Sequence, residues 1–179
     1  DQSTDVDNLR RVARRNSADV LVGIHGDRLI VVVGQVPEEN LDPAKIPSLF
    51  SVCAGLAESF TEGPIVVGSE VASITESNRS AKSALSGYSV VGSWNKAPRP
   101  TSADDLLAER ALAGDMLAKA TLINKIYVPL SKNSPDLLET LVTYLETGRS
   151  LELTAREMYV HSNTVRYRLK KISELIGWD

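Results

Sequence analysis

The sequence predicts an α/β region followed by an all-α region, and three observations predict it. Before residue 100, short β-rich apolar runs alternate with segments of helical period. Beyond it, only helical periods remain. The last of these, residues 150–177, breaks into two short helices around a tight turn. Domains are accordingly expected at 1–101 (α/β), 102–130 (connecting helices) and 131–179 (terminal helical domain).

Residues 5–15 read as a helix, with Val6, Leu9 and Ala13 on one face and four arginines around it. Runs 20–24 and 29–33 are β-rich and flank His25-Gly26-Asp27-Arg28, the signature of a hairpin with a Gly-Asp turn. Residues 47–62 fit a helix burying Phe50, Cys53, Ala57 and Phe60, and 64–68 a short apolar strand. Ser73 through Glu76 has the spacing of a capping box, opening a helix through Ala81, Leu85 and Tyr88. The proline-rich run 97–101 suits an edge strand or a connector. A further helix starts at Ser102 through Asp105, is interrupted at Gly114 and resumes to Tyr127, where Pro129 is expected to stop it.

Within the final helix, Val165, Leu169, Ile172 and Ile176 fall at i, i+4, i+7 and i+11, a single apolar stripe. Asn163, Thr164, Arg166, Tyr167, Lys170 and Lys171 turn away from that stripe, and no acidic residue lies between Met158 and Ser173. A helix that buries one edge and presents Asn, Thr, Tyr, Arg and Lys on the other suits a DNA major groove. Leu151, Ala155 and Met158 supply the apolar face of the helix before it, and Val160-His161-Ser162 the turn. Ser162 is the expected N-cap, leaving an open helix N-terminus for a phosphate. Charge follows the same division. The whole chain is at −3, whereas residues 149–179 hold six Lys/Arg against four acids. DNA feels local potential, within about 8–10 Å at physiological salt, so an acidic body does not veto a basic tip.

The run VHSNTVRYRLKKISELIG resembles the C-terminal helix-turn-helix signature of the PucR/CdaR family of bacterial transcription regulators. His161, Asn163, Thr164, Val165, Arg166, Tyr167, Arg168 and Leu169 carry the likeness, together with DLLETLVTYLETGRSLELTA before them. The order hairpin-helix-strand-helix resembles the degenerate GGDEF-like domain that precedes this motif in the family, here without its first strand and helix. ERALAGDMLAKATLINKIYVPL and the closing ELIGWD resemble actinobacterial members that regulate fatty-acid biosynthesis genes, which implies an acyl-CoA or related metabolite as effector.

The expected interface is therefore His161, Ser162, Asn163, Thr164, Arg166, Tyr167, Arg168, Lys170 and Lys171 on double-stranded DNA. Asn163, Thr164, Arg166 and Tyr167 suit base edges, and Lys170 and Lys171 suit phosphates. Arg168 lies at the flank of the stripe, where holding a neighbouring helix is the alternative. His161 at the corner either holds the turn or touches a phosphate. One such motif buries too little surface for selective binding, so a homodimer or higher homo-oligomer on a pseudo-palindromic operator is expected. Its interface is expected between residues 103 and 127 or in the α/β domain.

Catalysis is not expected. The hairpin turn offers one carboxylate, Asp27, beside a basic Arg28, where two-metal phosphoryl chemistry needs converging acids. No P-loop spacing occurs, His25 lacks partner ligands, and no cofactor or metal follows. The lone Cys53 excludes an internal disulfide and fits a reducing cytoplasm, as a packing thiol. Trp94 and Trp178 lack a stacking array, and no apolar run approaches the ~20 residues of a membrane span. The chain opens without Met in a polar segment, so a longer parent protein is expected.

Overall fold

A computed structural model describes residues 6–36 and 47–177. Contacts divide the chain into two units, 1–115 and 116–179, so that the segment expected to connect the domains is shared between them. The first unit is mixed α/β with few strands, and the second is helical throughout.

Helix α1, Val6–Arg14, buries Leu9 and Ala13 completely, as its period requires. Strands β1, Ala18–His25, and β2, Arg28–Gln35, pair antiparallel with His25 opposite Arg28, which leaves Gly26 and Asp27 as a two-residue turn. Alternation along β1 turns Ala18, Val20 and Val22 inward. They meet Leu9 and Ala13 of α1 and Val52 and Leu56 of helix α2, Leu49–Ala57. This corrects half of the buried face expected for α2, where Ala57 is buried and Phe60 packs against the core as expected but Phe50 and Cys53 depart. Phe50 is 41% exposed and Cys53 half-buried, while Val52 and Leu56 are core. The helix is apolar nearly all round, so periodicity had no polar side to exclude and the neighbours choose the face. Partial burial still pushes the Cys53 thiol pKa up, which suits a packing role.

The rest of the first unit is a small α/β layer. Strand β3, Val66–Val67, pairs in parallel with β4, Thr101–Ser102, and helix α3, Ser77–Val90, crosses over between them. The helix comes so close that a Cβ on Gly87 would stand 2.9 Å from Val66 Cγ1 and 3.3 Å from Ala103 Cβ. The helix runs through Ala81, Leu85 and Tyr88 as expected, and its buried positions are Ser83 and Gly87. The capping box is also not made. Ser73 heads a 3₁₀ turn, Ile74–Glu76, without a side-chain cap, its hydroxyl paired with that of Thr75 at 2.7 Å. Helix α4, Leu107–Leu112, carries Arg110, 2% exposed, whose guanidinium donates to Asp115 Oδ2 at 2.8 and 3.0 Å and to the Ala103 carbonyl at 2.8 Å. A buried cation is tolerable only with such complete pairing. Trp94 is likewise anchored, its indole N–H donating to Glu109 at 2.7 Å, and Trp178 lies outside the described residues.

In the second unit, α5, Met116–Leu122, runs through a π-helical turn, Ile123–Tyr127, into α6, Val128–Asn133. Pro129 does not stop the helix. It sits in the first turn of α6, directly after the π-helical turn, where the Val128 N–H bonds the Ile123 carbonyl five residues back and the hydrogen bonding already departs from the i→i−4 ladder. Among the described residues, no helix is long and apolar enough to cross a membrane.

Candidate nucleic-acid interface

Three helices build the site. Helix α7, Pro135–Glu146, is closed by a Schellman turn in which Gly148, at φ 68°, takes the left-handed position and the Arg149 N–H reaches the Tyr144 carbonyl at 2.8 Å. Helix α8, Leu151–Glu157, opens on Ser150, whose hydroxyl accepts the Leu153 N–H at 3.3 Å. It closes on the same motif, the Val160 N–H bonding the Ala155 carbonyl at 2.9 Å, but here Tyr159 holds the left-handed position at φ 54°. Helix α9, Ser162–Ile176, follows at once and ends at Gly177 in the left-handed region.

The N-cap of α9 is His161 rather than Ser162. Its Nδ1 accepts the Asn163 N–H at 3.1 Å, the service a serine hydroxyl was expected to give one residue later. An imidazole nitrogen with a free lone pair offers the same in-plane acceptor as an Asn or Ser oxygen, so His161 holds the turn through Nδ1. Ser162 becomes the first helical residue.

Packing of α9 follows the stripe. Val165 and Ile172 are buried, and Leu169 and Ile176 close over a core of Leu130, Leu137 and Ile172. On α8 the buried residues are Thr154 and Ala155, with Leu151 and Met158 only half-buried. Thr154 and Thr140 were not expected inside. Each satisfies its hydroxyl locally: Thr154 on the Ser150 carbonyl at 2.7 Å and against the Thr147 hydroxyl at 2.8 Å, Thr140 on the Asp136 carbonyl at 2.6 Å. A threonine that bonds back to its own helix presents a methyl to the core, a signal that apolar periodicity overlooks.

The outward row then takes shape. His161, Asn163, Arg166, Tyr167, Lys170 and Lys171 are exposed, and Ser162 and Thr164 half-exposed. Arg166 donates to Asn163 Oδ1 at 3.3 Å, and Lys170 lies 3.9 Å from Glu174. The Lys171 ammonium stands 4.9 Å from the Tyr167 ring centroid, and its hydrogen bond with Tyr167 holds its pKa above the usual lysine value. Arg168 departs from the row. Its guanidinium donates to Thr140 Oγ1 at 3.1 Å and to Asp136 Oδ2 at 3.4 Å, tying α9 to α7. This is the contact with a neighbouring helix foreseen as the alternative to a place on DNA, since the flank of the stripe faces α7 and its acceptors.

Beside this row, Thr164, Tyr167 and Lys171 form one wall of an open cleft of about 380 Å³, and the start of α7 from Ser134 forms the other. In the first unit, the Asp27 side chain is 95% exposed and lies 3.7 Å from Arg28. Among the described residues, no group of three His, Cys, Asp or Glu is placed to hold a metal ion.

Residues 137–179 match the PucR C-terminal helix-turn-helix domain, and residues 1–90 match the GGDEF-like domain. Uncharacterized proteins of Mycobacterium tuberculosis and Mycobacterium bovis are 38% identical over 171 residues, covering 96% of this chain and 39% of theirs. The chain thus spans about two fifths of the length of these relatives. The purine catabolism regulatory protein of Bacillus subtilis is 56% identical over 41 residues, 23% of this chain and 8% of that protein. A regulator of polyketide synthase expression from Bifidobacterium adolescentis superposes with a TM-score of 0.78 at 29% identity, over 96% of this chain and 66% of that one. The match over half of its length shows that the chain belongs to the GGDEF-like domain family, with a helix-turn-helix of the PucR C-terminal type following that domain.

Proposed function

We propose that this chain is the DNA-binding part of a transcription regulator, with α9 as its recognition helix. The observation that carries the reading is the row on α9: Asn163, Thr164, Arg166 and Tyr167 stand outside, on a helix whose opposite edge is fully engaged in the core. Their donors and acceptors suit base edges, and Lys170 and Lys171 suit phosphates. His161 sets the helix start, and Arg168 sets the angle between α9 and α7.

The relatives support regulation as the function class. Their names concern purine catabolism and polyketide synthase expression, so a shared motif does not by itself choose the genes. Control of fatty-acid or other lipid biosynthesis genes, with a small metabolite such as an acyl-CoA as effector, rests on the narrower resemblance of residues 109–130. We read the protein as cytoplasmic and without catalytic activity, its hairpin turn carrying Asp27 alone. Selective binding requires a homodimer on a pseudo-palindromic site, its recognition helices about 34 Å apart or a multiple of that. Met116, Leu117, Ile123 and Tyr127, all exposed, are the proposed seam.

The test is selection from a pool of random duplex DNA followed by sequencing. The expected result is a pseudo-palindromic motif that Arg166→Ala blurs at one position of each half-site. Retention without any motif would overturn base reading and leave a basic surface for an acidic partner.

A further inference from the structure

We propose that the outer face of α1 is a second DNA-contacting surface, one that grips the phosphate backbone without reading bases. The proposal extends the regulator reading above and rests on it for the choice of partner.

Arg10, Arg11, Arg14 and Arg15 are all exposed and, with Asp7, line an open groove of about 500 Å³. They stand opposite the edge where Leu9 and Ala13 are buried, in two i, i+4 pairs that repel each other along the helix. A helix C-terminus welcomes a cation or two, but four guanidiniums exceed what that dipole asks for. Among the described carboxylates, only Asp19 forms an ion pair with the array, at 3.5 Å from Arg14. Arg14 and Arg10 both help to lower the Asp19 pKa, after its bond from the Val20 N–H, so the field of the array reaches that carboxylate.

The composition and the density of this face indicate the partner. All four cations are arginine, the side chain whose planar fork meets phosphate oxygens bidentately. Four charges fall within about 7.5 Å of helix axis, roughly one per 2 Å. Duplex DNA carries one phosphate per ~1.7 Å of axis over both strands, ~3.4 Å on each. An extended acidic peptide alternates its carboxylates between two faces, so one face offers roughly one per 6–7 Å, a poorer match in density and in geometry. No Asn, Gln, Thr or Tyr interrupts residues 10–15, so this face lacks the interleaved directional groups that accompany Arg166 on α9 and offers a plain row of charge.

The experiment uses the whole chain on a random-sequence duplex over a range of salt, with poly-glutamate as the competing polyanion. The variants are R10Q/R11Q/R14Q/R15Q, the same four changed to Lys, and each in an R166A/K171A background. Thermal melts confirm that the exposed substitutions leave the fold intact. The Gln variant should lower the slope of log affinity against log salt by about 2–3, at ~0.9 per phosphate. That drop should persist in the R166A/K171A background, and the Lys variant should keep most of the slope. An unchanged slope in the Gln variant overturns the proposal. So does a loss confined to poly-glutamate, which would assign the face to an acidic protein. If the Gln variant loses DNA while R166A/K171A alone changes nothing, the α1 face stands and the phosphate contact assigned to Lys171 falls, whereas base reading by α9 stands or falls on the selected operator.

Discussion

Helices α1 and α9 are both basic and amphipathic, yet their charged faces are built in opposite ways. On α9 each exposed cation has a neighbour: Arg166 has Asn163, Lys170 has Glu174, and Lys171 has Tyr167. Those neighbours are themselves hydrogen-bonding groups of the kind that read base edges. On α1 the four cations neighbour one another, with a single ion pair to Asp19. The first arrangement restrains side chains and interleaves them with directional groups, which favours selectivity. The second concentrates charge, which favours affinity without selectivity. Equal basicity therefore says little about what a helix does, and the residues between the cations say much more.

The largest perturbation would remove the support of each face. Ile172→Ala should cost about 2–5 kcal/mol and Leu9→Ala a similar amount, each by leaving a cavity in its own core. Two-step thermal unfolding, with only the nearer step moved, would confirm that the two helices belong to separately stabilised units; a single shifted transition would show them coupled.

Next in size is the loss of a reading residue. Arg166→Ala should weaken operator binding by about 1–3 kcal/mol while leaving random duplex nearly unaffected. An equal loss on both would reduce α9 to the same charge-only role as α1. Lys171→Ala should weaken both alike and lower the salt slope by about 1, as one phosphate contact would. His161→Ala removes the α9 cap and should cost about 1 kcal/mol of stability, which urea unfolding would register. The smallest effect tests the turn between α8 and α9. Tyr159→Gly relieves a left-handed residue and should stabilise the second unit by roughly 1 kcal/mol. The Tyr159 side chain is 96% exposed, so little packing is lost with it.

The parts of this architecture that were legible in sequence are those with a polar side to define an apolar one. The stripe of α9 and the inward face of α1 appear as expected, because charged residues fill the rest of each helix. Helix α2 shows the converse: LFSVCAGLA has no polar side, and only its contact with α1 and the hairpin selects Val52 and Leu56. The α9 cap was missed by one residue because imidazole is a rarer acceptor than a hydroxyl, although the turn itself was placed correctly. The buried Arg110 and the threonines at 140 and 154 were hidden for a different reason. Their partners, Asp115, the Asp136 carbonyl and the Ser150 carbonyl, exist as partners only once the chain has turned. The pairing of Arg168 with a neighbouring helix was foreseen as an alternative, from its position at the edge of the stripe, and Asp136 is the partner that the structure supplies.

The π-helical turn at Ile123–Tyr127 acts on angular phase. A π turn holds one residue more than the α turn it replaces, and each residue of an α-helix advances the side chains by about 100°. The faces of α5 and α6 are therefore offset by that amount from where an unbroken helix would put them. Deleting Asn124 or Lys125 would restore regular hydrogen bonding at this point. It would also rotate Met116 and Leu117 about the axis relative to Leu130, which anchors α6 in the core beneath α9. In this stretch the aim of a surface is written in residue count rather than residue type, so a chemically silent deletion would turn the proposed seam away while leaving every one of its side chains intact.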